Sequence, residues 1–353
     1  MKQQLLTSFF FTILAYVVLS LSGCQQQAVE PQINKETVLA FGTFVEVTLV
    51  DLNEKDSQII FDRIQQDLTY MHTAYHPWKA GPTGRLNQLL GATGTFSTGP
   101  DSLSLLSISK QLSEQSQGLF NPAMGKLVAL WGYHEELPPE GPPPAHNDIQ
   151  QWLDQKPSMD DISIKGVRVT NQNPAVKLDF GAVAKGYALN AIMKNIQRMG
   201  VKHAVVNTGG DLKVLGQKGN QPWHIGIRDP RSDGIIASID AKDGEAIFTS
   251  GDYERSYQHE GKRYHHILDP RTGYPATSMR SVTIIHKDAA RADAAATALF
   301  VAGPKQWMQI AKSMQIELAM LIDAKGHIQL TPQMQHRVQF EKQDLVIEVV
   351  ELP

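Results

Sequence analysis

The sequence predicts an α+β fold built on a largely antiparallel sheet, and three observations carry that reading. β-Branched runs recur in groups joined by tight turns, as in His203–Asn207, the Gly209-Gly210 turn and Leu212–Leu215. Helical periodicity falls between those groups instead of after every strand, which disfavours a doubly wound parallel sheet. Cys24 is the only cysteine, so no disulfide can form within the chain and a buried apolar core must hold the fold. The length suits one large domain or two intimately packed subdomains.

The start reads as a secretory leader. Lys2 precedes an almost unbroken apolar run, Phe9–Leu21, shorter than the roughly twenty residues that a membrane-spanning helix needs. The run ends at Ser22-Gly23 directly before Cys24, which predicts a lipoprotein signal over residues 1–23 and lipidation of Cys24. Acyl chains at about 0.8 kcal/mol per buried methylene would then hold the protein to a membrane surface. Residues 24–36 are polar and aperiodic and read as a tether, with the folded domain over 37–353.

Within the domain, Val38–Val50 alternates and reads as a strand interrupted at Gly42. Ile60, Ile64, Leu68 and Met71 predict a helix over Ser57–Met71, and Tyr75–Pro82 a loop. Asp101 is the expected N-cap of the next helix, and Asn121-Pro122 the expected cap and first turn of a helix reaching Trp131. The Pro-rich stretch Leu137–His146 reads as a stiff surface loop. Strands follow at Ser163–Thr170 and Ala175–Asp179, then a helix from about Gly181 to Met199 with Gly200 as its stop. Further strands are expected at His224–Arg228, Ile235–Asp240, Ala246–Ser250 and Ser281–His286. A helix then runs from about Ala290 to Ala302 and ends at Gly303-Pro304.

Charge excludes one class of partner. Thirty-three basic residues stand against thirty-six acidic ones with no long basic run, which argues against a nucleic-acid surface. An anionic ligand would need local help from backbone amides or a metal. Asp293 and Thr297 lie four apart on one helical face, a donor pair suited to a hard cation such as Mg²⁺. The same pair also fits a solvated Asp near a helix start and a Thr packed on a sheet. Asp179–Gly186 is a strand-to-helix junction whose free amides and Lys185 suit an anion, though it is neither a Rossmann nor a P-loop fingerprint. Asn207–Asp211 and Thr249–Asp252 either line a pocket or simply turn the chain. In Tyr264–Pro275, a histidine is placed to take a proton from an attacking hydroxyl. His265 and His266 do not suit a shared metal, because adjacent strand residues face opposite sides.

Taken in order, these segments resemble the ApbE family of FAD:protein FMN transferases. The resemblance runs through Ala40–Thr43, Gly118–Pro122, Leu130–Gly132, Leu178–Ala188, Asn207–Asp211, Thr249–Arg255, His266–Gly273 and Ala292–Leu299. It implies a T-fold-like architecture and an enzyme that moves FMN from FAD to a threonine or serine hydroxyl, releasing AMP. A Mg²⁺ (or Mn²⁺) would be held by the Ala182 carbonyl, Asp293 and Thr297. Phe41, Phe120, Asn121, Asp179, Lys185 and Ile267 would contact FAD, and His266 would be the catalytic base. The implied acceptors are flavoproteins of membrane redox complexes on the periplasmic side. Hydrolysis of FAD to FMN and AMP, or flavin binding without chemistry, are the other functions the same site would fit. Two departures stand out: Asn121 where the family commonly has Asp, and a Tyr75–Asn87 segment with Trp78, Gly81 and Pro82 in place of a Ser-rich pattern.

Overall fold

The computed structural model describes residues 30–135 and 137–353, so the expected signal peptide and Cys24 lie outside it. Residues Ile33–Pro353 form one compact unit. Its first element is a hairpin: β1 (Ile33–Ala40) and β2 (Thr43–Val50) pair antiparallel across a Phe41-Gly42 turn. Both turn residues are left-handed, φ 52° and 73°, which suits the right-handed twist of the flanking strands. β1 therefore begins at Ile33, inside the segment read as tether, and what looked like one interrupted strand is two.

Helix α1 (Glu54–Tyr75) starts at Asn53, whose side chain accepts the Asp56 N–H at 2.9 Å. Next come α2 (Pro82–Gly91), β3 (Gly94–Ser97) and α3 (Pro100–Gln115). Gly99, not Asp101, occupies the N-cap of α3; Asp101 lies in its first turn and accepts from the Tyr70 hydroxyl. α4 (Gly125–Leu130) is also shorter than expected. The Asn121 Oδ1 accepts from Ala123 N–H at 3.0 Å, forming an Asx turn that competes with helix initiation.

α5 (His146–Gln155), β4 (Ile162–Lys165) and β5 (Arg168–Asn171) follow, so Ser163–Thr170 is a hairpin and not a single strand. Ala175–Asp179 is no regular strand. Its backbone is satisfied by a bridge from Met124 to Lys177, by the side-chain amide of Asn87 on both polar groups of Leu178, and by Pro122 O.

The rest of the chain builds the centre. In order it gives α6 (Ala184–Arg198), β6 (Ala204–Thr208), β7 (Asp211–Leu215), β8 (Trp223–Arg228), β9 (Ile235–Ala241), β10 (Ala246–Gly251), β11 (Ser256–His259), β12 (Lys262–His265) and β13 (Met279–His286). Then come α7 (Ala289–Ser313), β14 (Leu318–Asp323), β15 (Ile328–Leu330), α8 (Pro332–Gln335), β16 (Val338–Phe340) and β17 (Ile347–Val349). Nine strands form the main sheet, in the order β1-β2-β6-β7-β10-β13-β14-β15-β17. All its pairings are antiparallel except β15 with β17.

Period-two alternation gives this sheet two apolar faces. Val47, Phe248, Val282 and Ile284 join α1, α3, α6 and α7 in the larger core. Leu212, Val214, Ile247 and Ile285 face the other way, against Trp223, Ile227 and Ile239 of the β16-β9-β8 sheet. Each large apolar side chain fully buried there contributes roughly 1.5–3 kcal/mol of transfer free energy. The resulting helix–sheet–sheet layering is the α+β arrangement that the sequence predicts. Among the described residues no helix is long and apolar enough to cross a membrane.

Candidate active site

The polar centre lies where α6 and α7 meet the ends of the central strands, and small residues make that meeting possible. A Cβ on Gly186 would stand 2.1 Å from the Ala289 carbonyl oxygen, so only glycine admits this approach of α6 to α7. Asn190 locks the pair: it donates to Asp288 Oδ1 at 2.7 Å and accepts from Ala289 N–H at 3.0 Å. Asp288 in turn caps α7. One turn further on, the buried Asp293 reaches back to α6, where its Oδ2 accepts the Gly186 N–H at 3.0 Å. Thr297, on the same face of α7, lies 3.2 Å from the Ser250 hydroxyl at the end of β10. Gly303 (φ 71°) breaks the helix where the Gly-Pro pair was expected to end it.

Lys185 sits in the first turn of α6 and pairs with Asp211, the first residue of β7. The second oxygen of Asp211 accepts the Thr249 N–H at 3.0 Å. The Asn207–Asp211 turn and the Thr249–Asp252 segment are thus parts of one site and not independent turns. Ala182 lies in the turn that leads into α6, three residues before Lys185.

Electrostatics here is that of an over-acidic cluster. Burial, first of all, pushes the Asp293 carboxyl up to about 7; Asp211 adds to the rise, while Lys185 and the Gly186 amide oppose it. Desolvation by the surrounding protein likewise lifts Glu254, although the residue stays exposed at the surface, to about 7, with Asp211 and Asp293 adding and Lys185 and Arg228 opposing. Lys185, despite burial, is held above its ordinary value by Asp211, Asp293 and Glu254. Three carboxylates around one ammonium leave an excess of negative charge, the condition a divalent cation relieves. The donor chemistry fits too: Asp293 has an oxygen beyond the one bonded to Gly186, and hydroxyl and carbonyl oxygens complete a hard set. Among the described residues no cluster of three or more His, Cys, Asp or Glu suits a metal. The expected set draws only one ligand from those residue types.

The histidine pair divides as strand alternation requires. His265 is buried: its Nε2 donates to Ala276 O at 2.7 Å and its Nδ1 accepts from Ile267 N–H at 3.3 Å. His266 faces Tyr133 and Arg255 instead. Its Nδ1 is 3.3 Å from Arg255 O, a carbonyl that only accepts, so Nδ1 carries the proton and Nε2 is left as the acceptor. Burial, helped by His265, Arg255 and Lys185, pulls His266 down to about 3, so it is neutral near pH 7.

Asp179 shares Arg255 with His266 as a neighbour. Burial raises its carboxyl; the Gly181 N–H (2.7 Å), the Trp78 side chain, Arg255 and His76 act in the opposite direction. Phe41, at the tip of the first hairpin, donates its N–H to His72 Nδ1 at 3.1 Å, and His72 meets His76 edge-on. Phe120 and Ile267 are placed differently, with side chains buried in the larger core, so only their backbones are available to a ligand. Asn121 spends its side chain on Pro157 O and Ala123 N–H. Glu254, Arg255, His76 and Asp211 were not singled out as site residues. All four lie in segments named above, Asp211 at the end of a turn read as a candidate pocket lining, but nothing in their spacing told them from other charges.

Sheet, helices and junction together define an α+β protein whose candidate active centre is an acidic, lysine-containing cluster at a helix N-terminus. The profile of the ApbE family matches residues 41–322. The chain belongs to that family. It is 38% identical over 306 residues to the FAD:protein FMN transferase of Rhodobacter capsulatus, spanning 86% of this chain but only 58% of that protein. With the FAD:protein FMN transferase of Vibrio cholerae it shares 27% identity, over 86% of this chain and 91% of that protein. The crystal structure of the ApbE protein of Thermotoga maritima superposes with a TM-score of 0.77 at 31% identity, over 88% of this chain and all (100%) of that one. The flavinyl transferase ApbE of Pseudomonas stutzeri gives 0.73 at 27% identity, over 84% and 93%.

Proposed function

We propose that this protein transfers FMN from FAD to a threonine or serine hydroxyl of an acceptor flavoprotein, releasing AMP. The observation that carries the proposal is the meeting of Lys185, Asp211 and Asp293 at the N-terminus of α6, with Thr297 one turn beyond Asp293 on α7, in a chain of the ApbE family. The positive end of a helix and a lysine fixed in its first turn favour an anionic pyrophosphate. Ala182 O, Asp293 and Thr297 would hold a Mg²⁺ or Mn²⁺ there, which when bound neutralises phosphate charge.

The reaction balances without any redox partner. The acceptor oxygen attacks the FMN-side phosphorus, a phosphoester bond forms, and the anhydride P–O bond breaks with AMP as leaving group. The hydroxyl proton goes to Nε2 of His266. That nitrogen is a weak base in the protein alone, and a pyrophosphate beside it would raise its basicity. Asp179 and Lys185, with backbone groups of Phe41, Phe120, Asn121 and Ile267, position the nucleotide.

The lipoprotein signal expected over residues 1–23, directly before Cys24, supports a membrane-anchored enzyme on the periplasmic side, acting on flavoproteins of membrane redox complexes. The functional test supplies FAD, Mg²⁺ and a candidate acceptor domain to the full chain and follows acceptor mass and nucleotides. An acceptor heavier by one FMN, with AMP released, is expected. FMN and AMP appearing with the acceptor unmodified would replace transfer with hydrolysis, and unchanged FAD would leave only binding.

A further inference from the structure

Beyond the catalytic cluster, the segment that departs from the family pattern walls a large cleft of about 1230 Å³ between α2, the start of α3 and the Pro174–Lys177 stretch. Ligand pockets for single small molecules fill roughly 300–1,000 Å³, so this cleft has room for a stretch of polypeptide. Its charged lining is Lys79, Arg85, Lys126 and Lys177 against Asp101 alone. Lys79, Arg85 and Lys126 are exposed and Lys177 is half-buried. Asp101 is engaged by the Tyr70 hydroxyl. This basic lining stands out on a chain whose formal charge is −3.

Position ties the cleft to the chemistry. Trp78 forms one wall, with the Lys177 Nζ 3.8 Å from its ring centroid. The same indole hydrogen-bonds the Asp179 carboxylate of the nucleotide site. Trp78 is thus a partition with a lysine of the cleft on its face and a carboxylate of the active site at its edge. Burial and the neighbouring Lys126 disfavour the charge on Lys177 and Asp179 only partly offsets them, so an anionic occupant would favour the charged lysine.

We propose that this cleft is the docking surface for the acceptor protein, receiving an acidic stretch of the acceptor and delivering its hydroxyl past Trp78 to the active site. The inference rests on the transferase reading and specifies its partner: a polypeptide with carboxylates near the modified residue. Steering by opposite charge then contributes to acceptor selection, and it weakens with salt.

The test compares two fluorescein-labelled dodecapeptides, each with one central threonine, one carrying four glutamates and the other the isosteric glutamines. Their binding to the full chain is read by fluorescence anisotropy at low and high salt. The glutamate peptide is expected to bind about tenfold more tightly at low salt, the scale of a few exposed ion pairs. Lys126→Glu/Lys177→Glu should abolish the preference while FAD, followed by quenching of flavin fluorescence, still binds. If charge reversal prevents folding, Lys126→Gln/Lys177→Gln carries the test and should lose most of the preference. Equal affinity for the two peptides, or a preference untouched in the variants, would overturn the proposal. Failure of the transferase reading would show separately, as FAD cleavage with no acceptor modified, and leaves this binding comparison readable.

Discussion

Asp293 carries the greatest share of the account at the scale of single residues. It joins α7 to α6 through the Gly186 amide and is the one carboxylate of the expected metal set. Asp293→Asn keeps an acceptor oxygen for that amide but removes the charge. The expected outcome is a folded protein whose Mg²⁺-dependent turnover falls by at least about 100-fold. Wild-type-like turnover at saturating Mg²⁺ would mean that the metal sits elsewhere. His266→Gln tests the base: kcat should drop by roughly 10²–10⁴ with the KM for FAD little changed. An effect confined to KM would make His266 a binding residue. At this scale much was legible, because Asp293, Thr297 and Lys185 stand in short motifs whose spacing alone places them on one helix face or in one first turn. Phe120 and Ile267 show the limit, since their burial depends on packing partners distant in sequence.

Between elements, the contact that matters is α6 against α7. Gly186, a glycine of the Asp179–Gly186 junction, sets the distance between the two helices. A Cβ there meets the Ala289 backbone at 2.1 Å, and backbone cannot step aside as a flexible side chain would. Gly186→Ala should therefore destabilise the fold by about 1–3 kcal/mol, read by denaturant midpoint, and weaken Mg²⁺ binding by separating Asp293 from the junction. Unchanged stability would show that the helices have room to part. Strand and helix existence was largely readable from periodicity. Boundaries were missed where side chains compete with backbone pairing: the Asx turn of Asn121 shortened α4, and the amide of Asn87 stands in for a neighbouring strand at Leu178. Helix α5 followed the Pro-rich loop unrecognised, its apolar face amounting to little more than Ile149 and Trp152.

On the scale of the whole molecule, the site sets the pH dependence of stability. With chelator present, Asp293 has a carboxyl raised to about 7, so its contribution is complete below the ordinary carboxylate range and is lost as pH rises through 7. His266 is displaced the other way, from 6.5 to about 3, so stability rises with pH up to the ordinary value and is level above it. Glu254 shares the direction of Asp293 but is exposed, so solvent screening reduces its part. The chelated protein should accordingly lose thermal stability between about pH 6.5 and pH 8, and Mg²⁺ should raise Tm more at the upper end than at the lower. A Mg²⁺ effect independent of pH would contradict the coupling of metal to Asp293 ionisation. The central claim meets its most direct test in one reaction. The full chain is incubated with FAD, Mg²⁺ and a candidate acceptor domain, with and without EDTA, and acceptor mass and released nucleotide are measured together. One FMN added to the acceptor, AMP in equal amount, and loss of both under EDTA is the predicted result. FMN transfer that persists unchanged under EDTA, or FAD left intact in full Mg²⁺, would contradict it.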